Sequence, residues 1–180
     1  MNRPAKLSDR DTIIYEIDML EHCHIKLVQA QPSSTLDRYT FLECFLLPYR
    51  NLLDFFGKEP HGDDLSISGA ESWATDPVAA KGKIPQLQTK GQSLWHEYED
   101  RKTRSDTISR YLHHCTKQRT EVKDWLVPEM YGKLSKLIQE FRQIIGCSYH
   151  VAVENSRLVD ASTGMSTMTV ETINSPVRPD

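Results

Sequence analysis

No apolar run in this chain is long enough to cross a bilayer, and the opening segment from Met1 to Arg10 has no apolar core of the kind a secretory signal needs. The expectation is a cytoplasmic protein with no membrane partner. Basic charge is not in excess either: 22 Lys and Arg stand against 25 Asp and Glu, a net charge of −3. Duplex nucleic acid calls for clustered Lys and Arg, so binding RNA or DNA would require a local patch that the overall balance does not supply. Cysteine is sparse. Cys23, Cys44, Cys115 and Cys147 are scattered through segments of helical pattern, without a paired spacing, which points to reduced thiols, not a disulfide framework. There is no Gly-rich phosphate loop, no serine-nucleophile motif and no Cys-x-x-Cys pair, which removes the commonest nucleotide, hydrolase and thiol-redox signatures.

What remains is ordinary globular material. A length of 180 residues, 38% hydrophobic and 26% charged, suits one domain that buries its core without disulfides or metals. Ser8-Asp9-Arg10-Asp11 offers a capping hydroxyl and acids for a helix N-terminus, and Ile13, Ile17, Leu20, His24 and Leu27 follow at helical spacing until Pro32. A second helix should start at Ser33 or Ser34 and end at Gly57, read as its C-terminal cap. Apolar residues fall nearly all round it, so it is expected to be the central, most buried helix, kinked by Pro48 but not divided.

From Lys58 to Gln92, Pro60, Pro77 and Pro85 with interspersed glycines argue for a long loop. Short helical turns around Ser66 to Trp73 would pin it through Leu65, Ile67 and Trp73. A third helix is expected from about Ser93, carrying Leu94, Trp95, Tyr98, Ile108, Tyr111, Leu112 and Cys115. The last should begin at Val127-Pro128-Glu129, bury Met130, Leu134, Leu137, Ile138, Phe141, Ile144 and Ile145, and stop at Gly146. Beyond Tyr149, serine, threonine and proline without periodicity predict a disordered tail. The expected organisation is an N-terminal arm (1–8), an all-α four-helix bundle (9–148) and the tail (149–180).

Three groups of residues could carry chemistry. Helical geometry puts Arg110, His114 and Lys117 on one face, flanked by His113, opposite Ile108, Tyr111, Leu112 and Cys115. An arginine and a histidine four apart can approach one phosphate, the first neutralising charge and the second moving a proton. The plainer reading is a solvated basic face. Imidazole and thiolate are preferred zinc ligands, but adjacent residues such as His22-Cys23-His24 diverge by roughly 100° on a helix. A metal would have to draw single ligands from different helices, such as His24, Cys44 and His114. Asp63-Asp64 lacks further oxygen ligands nearby and is read as a helix cap, not a cation site.

Tyr15-Glu16-Ile17-Asp18-Met19-Leu20, Phe41-Leu42-Glu43-Cys44-Phe45, Arg50-Asn51-Leu52-Leu53-Asp54-Phe55-Phe56 and Tyr111-Leu112-His113-His114-Cys115-Thr116 together resemble an uncharacterised bacterial all-helical family. That family is distantly similar to the HEPN superfamily, helical bundles found in toxins, antitoxin partners and RNA-targeting defence proteins. The likeness runs from about Asp9 to Gly146. It implies a homodimer, here through the second and third helices. Active HEPN ribonucleases carry an arginine, then a polar residue, then a histidine several positions on. In this chain Tyr111 follows Arg110 and only three residues separate Arg110 from His114. The departure favours a non-catalytic binding or interaction module, without cofactor. The rival is a metal-independent ribonuclease using His114 as base and Arg110 on the phosphate, assisted by His113 and Lys117. A metal-binding bundle is the weaker alternative.

Overall fold

The structure is a computed structural model and describes residues 8–28, 34–100, 107–113 and 125–147. All regular elements among them are helical: α1 (Asp9–Val28), α2 (Thr35–Gly57), a 3-10 helix (Ile67–Trp73), α3 (Pro77–Glu99), α4 (Ile108–His113) and α5 (Val127–Ile145). The expected tail lies outside the described residues.

Local chemistry explains where each helix begins. Ser8 caps α1, its hydroxyl oxygen accepting from the Asp11 backbone N–H at 3.1 Å. Ser34 does the same for α2 by accepting from Asp37 at 3.0 Å. Asp76 caps α3 twice, accepting from Val78 and Ala79, both at 3.0 Å, with Pro77 in the first turn. Pro128 opens α5, and Gly146, in the left-handed region at φ 63°, closes it.

α3 corrects the expected loop. The segment from Pro77 to Gln92 is helical, and the helix ends at Glu99 without running on to Cys115. Pro85 is tolerated because it is exposed, as is Lys81, whose carbonyl loses its helical donor there and can turn to solvent. The expected turns at Ser66 to Trp73 are present: Ser66 caps the 3-10 helix, Ile67 is buried, and Leu65 and Trp73 pack on the core. The cap role expected of Asp63-Asp64 therefore belongs to Ser66. Asp64 instead forms an ion pair with Lys58 at 3.2 Å.

α2 passes through Pro48 as one helix and packs against both α1 and α3, while α5 also packs on both α1 and α3. Phe45, Tyr49, Leu52, Phe55 and Phe56 of α2 form the centre of the core. Phe55, Phe56, Trp73 and Phe141 close one end as a set of aromatic contacts with ring centroids 5.1–6.4 Å apart. Gly57 is not the left-handed cap that the sequence suggests. It is the last residue of the helix, and Lys58 follows in extended conformation.

Candidate functional site

α4 carries Arg110, the one residue of the face proposed for phosphate chemistry whose side chain is among the described residues. Its first turn is fixed from two directions: the buried Glu99 carboxylate accepts from the Ser109 N–H at 2.8 Å, and Thr107 Oγ1 accepts from the Arg110 N–H at 3.3 Å. Ile108 is fully buried, and Arg110 faces outward and is exposed, as helical spacing requires. His113 is the last residue of α4. Its side chain, with His114 and Lys117 entire, lies outside the described residues.

The two described members of the possible metal set face different neighbours. His24 of α1 lies flat on Tyr131 of α5, with ring centroids 3.8 Å apart and planes 11° apart, and touches Phe45 of α2 at 6.5 Å. Burial holds its imidazole below the usual histidine range. Cys44 is half-buried beside the buried Cys23 thiol. Burial and that neighbour push Cys23 up to about 11, so it stays protonated at neutral pH. Among the described residues, no group of three His, Cys, Asp or Glu side chains is placed to hold a metal ion.

The polar residues between helices are arranged in closed pairs. Lys90 of α3 pairs with Glu140 of α5 at 2.7 Å, and one heptad along, with polarity reversed, Glu97 of α3 pairs with Lys133 of α5 at 2.6 Å. Lys133 also pairs with Glu129 at 2.8 Å and lies 5.8 Å from the Tyr98 ring centroid. These carboxylates raise the Lys133 ammonium above its usual range, while burial raises the Tyr49 and Tyr98 phenols. A shallow groove of about 330 Å³ runs between α3 and α5, and both ion pairs line it. Arg142 of α5 grips Glu21 of α1 through two bonds of 2.7 and 3.1 Å, with Asp18 at 3.7 Å. These pairs join helices.

The outer face of α2 is where the structure departs most from the sequence reading. Leu36 is 75% exposed, Tyr39 53% and Leu47 45%, so the described residues leave these apolar side chains of α2 at least partly uncovered, with Glu43 half-buried among them. The first two turns stand almost wholly clear, with only Asp37 half-buried between Ser34 and Thr40. Sequence reasoning missed this face because apolar periodicity marks what a residue is, not what lies over it. The signal available was the excess of apolar positions over what one buried stripe needs.

No family model matches the chain, and neither a curated protein nor a solved structure shows detectable similarity to it.

Proposed function

We propose that this chain is a non-catalytic interaction module, a four-helix bundle of HEPN-like shape formed by α1, α2, α3 and α5, that docks a protein partner through the outer face of α2. The observation that carries this reading is the exposure of Leu36, Tyr39 and Leu47 on a helix whose other side is the centre of the core. An exposed apolar strip on a core helix is kept in water at a cost in solubility, and a partner that covers it supplies the reason for its presence.

The rival is metal-independent RNA cleavage by Arg110 and His114. Its support is the outward, exposed position of Arg110 on α4. The two readings part in one experiment. The purified chain is incubated with RNA in the presence of chelator, beside Arg110→Ala and His114→Ala proteins. Intact RNA in all three is the expected result. Cleavage by the wild type that disappears in both variants, with helical content unchanged, would overturn the interaction module in favour of the ribonuclease.

A further inference from the structure

Three contacts fix the register between α1 and α2. Asn51 donates to the Glu16 carboxylate, the Cys23 thiol lies within hydrogen-bonding reach of the Cys44 thiol, and His24 meets Phe45 with ring centroids 6.5 Å apart. From Glu16 to Cys23 is one heptad forward along α1, and from Asn51 to Cys44 is one heptad back along α2. The helices are therefore antiparallel, and the two sulfurs occupy a regular position of their seam. Their access differs. Cys23 is 2% exposed and belongs to the core, while Cys44 is half-buried at its edge. The backbone ladder of α2 is also interrupted at Cys44, because Pro48 has no N–H to donate to the Cys44 carbonyl. That turn can shift toward α1 without losing a hydrogen bond. Closing two sulfurs from contact to a bond of about 2.05 Å needs a shift of this kind.

We infer that Cys44 is an oxidation site for a small peroxide and that Cys23 is its resolving thiol, the product being a Cys23–Cys44 disulfide that links α1 to α2. The Cys44 sulfur attacks one oxygen of hydrogen peroxide. The O–O bond breaks, an S–O bond forms, and the thiol proton leaves with the other oxygen as water. The Cys23 sulfur then attacks the Cys44 sulfur, the S–O bond breaks, and the departing hydroxide takes the Cys23 proton to give a second water. Together the two thiols lose two electrons, and the peroxide gains them. Burial sets the order, since the oxidant reaches Cys44 and not Cys23. Burial and the neighbouring Cys44 hold Cys23 protonated at rest. The second of these influences ends once Cys44 is a neutral sulfenic acid. A thiol already in contact closes the bond before a second peroxide arrives, and a dithiol reductant restores both thiols. None of this depends on the outer face of α2 binding a partner.

The test treats the folded full chain with hydrogen peroxide, blocks remaining thiols by alkylation and maps the peptides by mass spectrometry. The wild type, with no substitution, is expected to yield a Cys23–Cys44 cross-linked peptide. The link should form within one chain at any protein concentration and be reversed by dithiothreitol. In a Cys115→Ser/Cys147→Ser background only this pair remains, and the intact mass should fall by two hydrogens. The oxidised protein should melt several degrees above the reduced one, because the link restricts the unfolded chain. Adding Cys23→Ser removes the resolving thiol, so Cys44 should accumulate as a dimedone-reactive sulfenic acid and pass on to sulfinic acid. Two free thiols at Cys23 and Cys44 in the peroxide-treated wild type would overturn the pair. The same holds if Cys44 reaches sulfinic acid equally fast with and without Cys23. An oxidised chain that melts below the reduced one would also overturn it, since the bond would then form only by distorting the helices.

Discussion

Gly57 of α2 and Gly91 of α3 meet backbone to backbone. A Cβ added to Gly57 would stand 2.5 Å from the Gly91 carbonyl carbon, and one added to Gly91 would stand 2.6 Å from that of Phe56. Rigid backbone occupies both positions, so neither helix can accept a methyl group without moving away from the other. Gly91→Ala should therefore cost at least about 2 kcal/mol of stability in chemical denaturation. Gly82, on the same helix with nothing within 4 Å of its would-be Cβ, is the control. Gly82→Ala should raise stability by about 0.5–1 kcal/mol, since alanine is the better helix former. Equal losses at the two sites would mean that the helices do not touch at Gly57 and Gly91.

Arg142 joins α5 to α1 through Glu21, and both side chains are largely buried, at 14% and 12% exposure. Removing the guanidinium leaves two carboxylates, Glu21 and Asp18, facing one another without their cation. Arg142→Met should destabilise the fold by about 3 kcal/mol, measured by denaturant unfolding. Adding Glu21→Gln to that variant should recover part of the loss by relieving the uncompensated charge. If the double variant is as unstable as the single one, the guanidinium contributes through packing and not through charge.

The stacked His24 gives the fold a defined response to acid. Burial holds its pKa below 6.5 in the folded chain, so the unfolded chain takes up the proton first as pH falls. Its contribution to stability is present above 6.5 and is lost as pH drops through the lower, folded value. His24→Phe keeps a ring against Tyr131 and cannot titrate. Its stability relative to wild type should increase as the pH is lowered across this window. Burial raises Glu16 and Asp18, which act in the opposite direction at lower pH, and the comparison with the variant cancels them. Parallel stability curves for the two proteins would show that His24 is not shielded from solvent.

Much of this fold is legible in the sequence where capping residues and apolar stripes agree. Ser8 and Ser34 start helices as their side chains predict, and every residue of the Met130 to Ile145 stripe on α5 is buried. Where local rules conflict, the reading fails. Pro85 and Gly82 speak against a helix, yet the double cap at Asp76 and the buried Ile84 and Leu87 stabilise one through both positions. Gly57 has the residue type of a cap but serves a close approach to α3, a relation between distant segments that local sequence cannot encode. The same holds for Leu36 and Leu47. Of the residues proposed for RNA chemistry, Arg110 occupies the outward position that helical spacing assigns to it.

The central claim is that the outer face of α2 is surface reserved for a partner, not part of the core of its own chain. Its most direct test is the unfolding free energy of the dilute chain carrying Leu36→Ser or Leu47→Ser, set beside Phe45→Ala on the opposite side of the same helix. The outer substitutions should change stability by no more than about 0.5 kcal/mol, while loss of the Phe45 ring should cost about 3–5 kcal/mol. Losses at Leu36 and Leu47 as large as that at Phe45 would contradict the claim, because they would show that the chain covers this face itself.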